Sequence, residues 1–355
     1  MSVLVTGGAG FIGANLAHAL LSAGEDVRIL DDLSRLGVER NLRWLESIHG
    51  GHLELQIADI RDPYAVAKAL NGVEHVFHFA AQVAVTTSID HPRLDFDVNA
   101  GGTLNLLEAI RARREPPSLV YTSTNKVYGG LEDIALRQGE RRYEPERSTL
   151  AGSGISETRP LAFSSPYGCS KGAADQYVLD FAHTFGLRAT VFRMSCIYGP
   201  RQLGTEDQGW VAHFLLRALR GEPISIFGDG RQVRDVLYID DLVDALLIAR
   251  TRISRLAGRA FNVGGGPART TSLVELVDEI ARLIGRTPRL LFEPWRRADQ
   301  RWYVSDVSSL QGVTGWCPQT TLNDGVTRLF DWLTRQDFLA ATAFGRPRGD
   351  GLEAS

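Results

Sequence analysis

The chain has 355 residues, of which 44% are hydrophobic and 23% are charged, and its formal net charge is -3. These values are ordinary for a soluble globular protein, and the slight acidity disfavours nucleic-acid binding, which normally needs a basic surface. No apolar run is long enough to cross a membrane, and the opening MSVLVTGG predicts a strand rather than an export signal. The three cysteines are widely spaced, so they indicate neither a disulfide framework nor a zinc site. We expect a cytoplasmic protein without a metal centre.

The first half of the chain alternates short apolar strands with amphipathic helices. Strands are predicted at Val3–Thr6, Val27–Leu30, Leu53–Ala58, Val76–Phe79, Leu119–Thr122 and Ala189–Met194. Helices are predicted at Phe11–Ala23, Val38–Ile48, Pro63–Leu70, Asn99–Arg113 and Tyr167–Phe185. Alternation of this kind builds an α/β fold with a doubly wound parallel Rossmann sheet. We assign this first domain to residues 1–195. His75 and His78 fall on one strand, where core packing is expected.

The regular alternation stops at residues 130–165, which are polar and rich in Arg and Glu. Because long structureless segments usually have a function, we expect this insert to lie over the active-site face. Residues 196–336 are predicted to form a smaller mixed α/β substrate lobe, interleaved with the first domain. Its predicted elements are Trp210–Leu219, Ile224–Phe227, Ile239–Thr251, Phe261–Val263, Leu273–Ile284 and Asp324–Thr334. Residues 337–355 are predicted to be a loose tail.

A glycine-rich turn joins the first strand to the first helix in the sequence TGGAGFIG, residues 6–13. Glycines allow a tight turn and a close approach of the backbone to a pyrophosphate, which the N-terminus of the helix then attracts. The strand–turn–helix context is the one in which this pattern predicts dinucleotide binding. The residues assigned to the cofactor here are Gly7, Gly10, Phe11, Ile12 and Gly13.

An acidic residue follows the second strand, about twenty residues further on. Asp31 is expected to accept hydrogen bonds from the adenosine ribose, and Asp32 adds negative charge. Together they would repel the 2′-phosphate of NADP, so we predict NAD, although Arg35 is close enough to reach a phosphate. After the third strand, Asp59 and Ile60 are predicted to contact the adenine edge, with a helix cap as the alternative for Asp59.

Tyr167 and Lys171 are four residues apart on a predicted helix and therefore share one face. An ammonium beside a phenol favours the phenolate and lowers its pKa, so the pair could remove a hydroxyl proton while hydride leaves the adjacent carbon. Ser123 and Thr124 end a predicted strand, where ligands bind in folds of this type. Either hydroxyl could hydrogen-bond the reacting oxygen.

Several longer motifs carry a resemblance that covers the chain to about Leu333. They are TGGAGFIG, DDLSR, HFAAQ, VNAGGTLNLLEA, STNKVYG, SPYGCSK, RQVRDVLYIDD, FNVGGG and GWCPQTTL. The chain resembles the extended short-chain dehydrogenase/reductase family of sugar-nucleotide epimerases and dehydratases. The resemblance implies that Thr124 is the catalytic hydroxyl, Tyr167 the proton acceptor and donor, and Lys171 its partner. It also implies that Ala80 and Asn99 line the nicotinamide side of a tightly bound NAD.

The substrate contacts that the resemblance implies come from positions far apart in the sequence. Arg234 and Arg301 match family positions that bind a diphosphate, for which the planar guanidinium is well suited. A structural ion pair of these arginines with Asp235 or Asp299 is the alternative. Gln208 and Trp210 are expected near the nucleotide, and Asn125 near the sugar.

The two residues after Thr124 bear on the reaction type. Dehydratases of the family have carboxylic acids there, whereas this chain has Asn125 and Lys126. Elimination would lack its usual acid, but oxidation and re-reduction would lose nothing. The motifs are nearest to the sub-family that epimerises CDP-paratose at C2. The alternatives are a 4-epimerase of a UDP- or CDP-hexose, a 4,6-dehydratase and a dinucleotide-sensing regulator. The family further implies a homo-oligomer.

Overall fold

The computed structural model describes residues 2–335, so the predicted tail at 337–355 lies outside the described residues. Within this range the largest sheet has seven strands: β1 Ser2–Thr6, β2 Asp26–Asp31, β3 Leu53–Ile57, β4 Val73–His78, β5 Ser118–Thr124, β6 Ala189–Met194 and β7 Ala260–Val263. Their order is β3-β2-β1-β4-β5-β6-β7, and every neighbouring pair is parallel. The predicted Rossmann sheet is confirmed. Strand β7 comes from the range assigned to the second lobe.

Helices cover both faces of this sheet because successive side chains of each strand point to opposite sides. In β1, Val3 and Val5 belong to one buried cluster, and Leu4 belongs to another. The helices are Phe11–Ser22, Val38–His49, Pro63–Ala69, Val85–Asp90, Pro92–Phe96, Gly102–Arg111, Ser148–Ser153, Pro166–Phe185, Trp210–Leu219, Ile239–Thr251, Ile253–Leu256, Leu273–Ile284, Ser308–Thr314 and Leu322–Thr334. A π turn, Asp97–Gly101, precedes Gly102–Arg111, and 3-10 turns lie at Asn125–Tyr128 and Pro267–Arg269.

The strand order places a crevice above β1 and β4. The chain runs from β1 outward to β3 and then returns to β4 on the other side of β1. Loops that leave β1 and β4 therefore diverge, and ligands bind at such a switch point, outside the carboxyl ends of the strands. The predicted site residues follow the ends of β1, β2, β4 and β5.

The C-terminal lobe contains two small sheets. Strand Val233–Tyr238 pairs in parallel with Cys196–Tyr198 and Trp302–Tyr303 and antiparallel with Thr270–Ser272, and Ile224–Phe227 pairs in parallel with Leu290–Glu293. The sequence does not predict strand Val233–Tyr238, although all six of its residues are buried. Its Arg234 and Asp235 interrupt the apolar pattern, and only tertiary partners compensate their charges.

The insert at 130–165 packs on the C-terminal lobe. It forms the hairpin Leu136–Gln138 and Tyr143–Pro145, and Ile155 N–H donates to Val304 O at 2.7 Å. The expectation that it covers the active-site face is not met. None of its residues lines the three pockets described below, because its apolar side chains, such as Leu136 and Leu150, pack against the Trp302–Val304 region.

His75 and His78 lie inside the sheet, as expected for core histidines. His78 is held between Thr6 Oγ1 at 2.6 Å and Thr103 Oγ1 at 3.0 Å, and burial lowers the pKa of both histidines to about 3. In the described residues, no group of three or more His, Cys, Asp or Glu side chains could hold a metal ion. Within 2–335, no helix combines the length and apolarity needed to cross a membrane.

Candidate active site

Three adjoining pockets lie above the carboxyl ends of the sheet strands. The first, here called the glycine-turn pocket, has a volume of about 420 Å³. Its walls come from the loops after β1, β2, β3 and β4, so they meet at the switch point of the sheet. It is lined by Gly7, Gly10, Phe11, Ile12, Gly13, Asp31, Asp32, Arg35, Asp59, Ile60, Ala80 and others.

The glycines of this pocket leave no space for side chains. Gly7 has a φ of +68°, and a Cβ there would lie 2.7 Å from Ala80 N. A Cβ on Gly13 would lie 2.4 Å from Gly7 O. The following helix, Phe11–Ser22, has no side-chain cap and no acidic residue in its first turn, and its first residues line the pocket. This cradle fits the pyrophosphate of a dinucleotide.

Asp31, the last residue of β2, holds the glycine turn in place through hydrogen bonds. Its carboxylate accepts hydrogen bonds from Ala9 N at 3.0 Å and from Leu33 N at 2.9 Å, which ties the glycine turn to the loop after β2. Burial raises the pKa of Asp31, and the two N–H groups partly oppose that rise. Each oxygen keeps a lone pair for a further donor, such as a ribose hydroxyl. Arg35 donates to Gln208 Oε1 across the pocket.

Asp59 and Ile60 line the glycine-turn pocket, and their contact with the adenine edge stays a prediction. The Arg61 guanidinium donates to the Asp59 carboxylate at 2.9 Å and holds the pKa of that carboxyl below its ordinary value. The helix cap considered for Asp59 is supplied by Asp62, which accepts from Tyr64 N at 2.9 Å.

Asn99 is the cofactor residue that the structure places elsewhere. It is 1% exposed and lines none of the three pockets. Its amide oxygen accepts from Gln82 N at 2.9 Å, and its amide nitrogen lies 3.0 Å from Ser170 Oγ and 3.2 Å from Asp95 Oδ1. Since both ends of the amide are engaged, Asn99 joins the loop after β4 to helix Pro166–Phe185, and its contact with NAD stays a prediction.

The second pocket, the central pocket, has a volume of about 290 Å³ and contains the predicted catalytic group. Thr124 and Asn125 enter it from the end of β5, and Tyr167 and Lys171 enter it from the first turns of helix Pro166–Phe185. Pro166 begins this helix and Ser165 caps it by accepting from Gly168 N at 3.1 Å, so Tyr167 sits on a fixed helix end. Ser123 lines the same pocket, and its buried hydroxyl has no hydrogen-bond partner.

Burial dominates the electrostatics of the Tyr167 and Lys171 pair. It raises the pKa of Tyr167 to about 12, although a hydrogen bond from Thr124 acts to lower this pKa. It lowers the pKa of Lys171 to about 7. Lys171 Nζ donates to Thr122 O at 2.7 Å. The predicted lowering of the Tyr167 pKa is therefore wrong for the protein alone, because desolvation of the buried phenol dominates. Tyr167 is protonated at neutral pH, and Lys171 titrates near neutrality.

The third pocket, the arginine pocket, has a volume of about 330 Å³ and carries most of the charge. Arg234 is 6% exposed, and its guanidinium lies 2.6 Å from Asp299 Oδ1. Arg296 stacks 3.7 Å from the centre of the Phe227 ring and pairs with Glu206 at 3.1 Å. The predicted Gln208 and Trp210 both line this pocket and the central one.

Arg301 is not in this cleft. It lines none of the three pockets, and its guanidinium lies 5.4 Å from the centre of the Trp295 ring and 5.7 Å from that of Tyr143. The diphosphate contact at Arg301 therefore stays a prediction, whereas Arg296 lines the arginine pocket. The segment before Trp302 contains several arginines, and sequence alone does not reveal which one turns toward the pocket.

The three pockets form one continuous cleft. The central pocket shares Phe11 and Phe79 with the glycine-turn pocket, and Lys126 and Trp210 with the arginine pocket. Gln208 lines all three. The arrangement can hold a dinucleotide at one end and an anionic ligand at the other, with a hydroxyl, a phenol and an amine between them. The sequence did not identify Arg296, Asp299 or Lys126 as parts of the wall.

Comparison with known proteins agrees with this geometry. The chain matches the NAD dependent epimerase/dehydratase family over residues 3–264. It is 43% identical over 339 residues to the CDP-paratose 2-epimerase of Salmonella typhi, covering 94% of this chain and 99% of that protein. It is 33% identical to a dTDP-glucose 4,6-dehydratase of Xanthomonas campestris pv. campestris (strain B100), covering 99% of each chain.

A solved structure agrees as well. The Thermus thermophilus UDP-glucose 4-epimerase in complex with NAD superposes with a TM-score of 0.79 at 32% identity, covering 94% of this chain and 98% of that one. The chain therefore belongs to the NAD-dependent epimerase/dehydratase family.

Proposed function

We propose that this family member inverts C2 of CDP-paratose to give CDP-tyvelose, with NAD bound throughout. The observation that carries the proposal is the end-to-end similarity to a CDP-paratose 2-epimerase, at 43% identity over 94% of the chain. The content of the central pocket supports it. Thr124, Tyr167 and Lys171 meet there between a dinucleotide cradle and a basic pocket.

NAD, when bound, supplies the acceptor and donor of a hydride at C2. Tyr167 exchanges the proton of the C2 hydroxyl as that carbon becomes a ketone and is then reduced on its other face. The Thr124 hydroxyl holds the C2 oxygen through both stages, and protonated Lys171 favours the phenolate. Arg234 and Arg296 hold the diphosphate while the sugar turns. The net reaction is redox-neutral.

Elimination chemistry fits the central pocket poorly. A 4,6-dehydratase must expel a hydroxyl, which requires an acid and a base near C6. The residues after Thr124 are an amide, Asn125, and an ammonium, Lys126. The one carboxylate in the described lining of the central pocket is Asp207, which lies 3.6 Å from Arg296 Nη2. Neither residue after Thr124 can therefore serve as the carboxylic acid that elimination uses.

The direct test is NMR of the purified protein with CDP-paratose, compared with UDP-glucose and UDP-galactose. We expect CDP-tyvelose alone, and in deuterated water we expect no deuterium at C2, because the same hydride returns. Interconversion of UDP-glucose and UDP-galactose would instead identify a 4-epimerase. Deuterium at C2 would indicate deprotonation of carbon, and a 4-keto-6-deoxy product would indicate a dehydratase.

We also propose that two copies associate through helix Pro166–Phe185 in the cytoplasm. Phe96, Tyr177 and Phe185 are each more than two-fifths exposed on this helix and on the adjoining Pro92–Phe96. Apolar side chains so exposed are typical of a surface that a partner covers. Light scattering should report a dimer or tetramer, and Tyr177→Glu should weaken it; a monomeric wild-type protein would refute this part.

A further inference from the structure

Lysine is rare in this chain, and two of its occurrences lie in the cleft. Only three of the 39 basic residues are lysines, namely Lys68, Lys126 and Lys171; the others are arginines. Lys171 lines the central pocket, and Lys126 lines both the central and the arginine pockets. The proposed mechanism uses Lys171 and gives Lys126 no role. A compact amine at position 126, where arginine is otherwise the rule, needs an explanation.

Lys126 belongs to the same turn as the catalytic threonine. It lies two residues after Thr124, in the turn Asn125–Tyr128, and its backbone N–H donates to Thr124 Oγ1 at 3.2 Å. Its side chain is 18% exposed and reaches across the cleft, where Nζ donates to Ala298 O at 3.2 Å. The ammonium thus stands between the reacting group and the arginine pocket.

The charges around Lys126 do not balance. Its Nζ lies 3.8 Å from Asp299 Oδ1, and Arg234 Nη2 lies 2.6 Å from that same oxygen. Two cations therefore share one carboxylate oxygen, which leaves a positive charge uncompensated in a largely buried wall. Burial lowers the pKa of Lys126. Burial alone would raise the pKa of Asp299, but the positive charges of Arg234 and Lys126 outweigh this effect and lower it. An anion bound beside the two cations would supply the missing charge.

We propose that Lys126 binds the sugar-side phosphate of the nucleotide sugar and so presents C2, not C4, to Thr124 and Tyr167. The proposal rests on the function proposed above. In a sugar nucleotide, C2 is bonded to the carbon that carries the phosphate, whereas C4 lies across the ring. Oxidation at C2 therefore requires the phosphate to sit close to the reacting group. A cation two residues after Thr124 meets that requirement, and Arg234 would hold the same diphosphate from its other side.

The test is calorimetry of the NAD-loaded protein with CDP and with CMP, which lacks the sugar-side phosphate. Lys126→Met keeps the length of the side chain and removes its charge. We expect this variant to bind CDP at least 10-fold more weakly and CMP within 2-fold of wild type. Lys126→Arg, which restores a cation, should recover part of the CDP affinity. The matched control, Lys68→Met on an exposed helix surface, should change neither affinity.

Two results would overturn the inference: unchanged CDP affinity in Lys126→Met, or equal losses for CDP and CMP. Bound NAD and the thermal transition report whether the variant is folded, and Lys126→Gln replaces it if it is not. UDP and UMP serve as the pair if the wild type prefers uridine. Lys126-dependent CDP binding without C2 epimerisation would overturn the proposed function and the presentation of C2, and would leave only the phosphate contact of Lys126. C2 epimerisation with Lys126-independent CDP binding would overturn this inference alone.

Discussion

The two ends of the cleft recognise their ligands by different means. The glycine-turn pocket is shaped by backbone, since Gly7 and Gly13 leave no room for a Cβ and a helix N-terminus provides the donors. The arginine pocket is shaped by side chains, with Arg234 and Arg296 held by ion pairs. Its walls come from chain segments as distant as residues 85–89 and 296–299.

This difference indicates which end of the cleft can tolerate amino-acid substitutions. A backbone cradle admits almost no substitution, because any added Cβ meets main-chain atoms, and so it specifies a cofactor that many enzymes share. Ion-paired side chains can be exchanged one at a time, so the arginine pocket is where one sugar nucleotide can be distinguished from another. The proposed catalytic group lies between the two ends, and we expect substitutions there to affect turnover without affecting binding at either end.

The largest effect is expected at the junction of the two ends. Tyr167→Phe removes the group that exchanges the proton, and we expect kcat to fall by about 10³-fold or more. Bound NAD and CDP affinity should stay near wild type, since neither end pocket is altered. Turnover is followed by NMR, and NAD is released by heating and quantified. Retained turnover would refute the assigned role of Tyr167.

The next effect tests the backbone cradle. In Gly13→Ala the new Cβ would lie 2.4 Å from Gly7 O and 2.6 Å from Gly8 Cα, so the turn must open. We expect the purified variant to lose its NAD. Gly51→Ala is the matched control, because a Cβ there has no neighbour within 4 Å. If Gly13→Ala retained NAD as well as Gly51→Ala does, the cradle would not be the cofactor site.

A smaller effect tests the side-chain end. Arg296→Met should raise the KM for the sugar nucleotide roughly 10- to 100-fold, the cost of losing one or two charge-assisted hydrogen bonds, and leave NAD binding unchanged. Arg301→Met, outside the cleft, should alter KM by less than about 2-fold on the same reasoning. Steady-state kinetics of the two variants decide between these arginines, and the opposite ranking would support Arg301 as the phosphate contact.

The smallest effect concerns the pH dependence of stability. The pKa of Lys171 is about 7 in the folded protein, below its ordinary 10.5, so between these values the unfolded chain binds more protons. The free energy of unfolding should therefore rise with pH in this window, by at most about 1.4 kcal/mol per pH unit. Lys171→Met should lack this contribution. Urea unfolding at pH 7.5 and 9 measures the difference, and equal slopes for both proteins would contradict it.

Sequence patterns predict the fold well because the main sheet is built from local signals. Each of the seven parallel strands overlaps a predicted strand, since a strand buried on both faces is a short apolar run. The strand Val233–Tyr238 is missed because Arg234 and Asp235 interrupt such a run, and only their tertiary partners make their burial tolerable.

The sequence by itself determined the Rossmann sheet, the glycine turn with Asp31, and the spacing of Tyr167 and Lys171, because each depends on residues near one another along the chain. Tertiary structure alone decided that the Asn99 side chain is hydrogen-bonded within a buried network. It also decided that Arg296 lines the arginine pocket while Arg301 does not. It further decided that burial raises the pKa of Tyr167. Desolvation and charge pairing depend on distances between segments far apart in sequence, which no local pattern encodes.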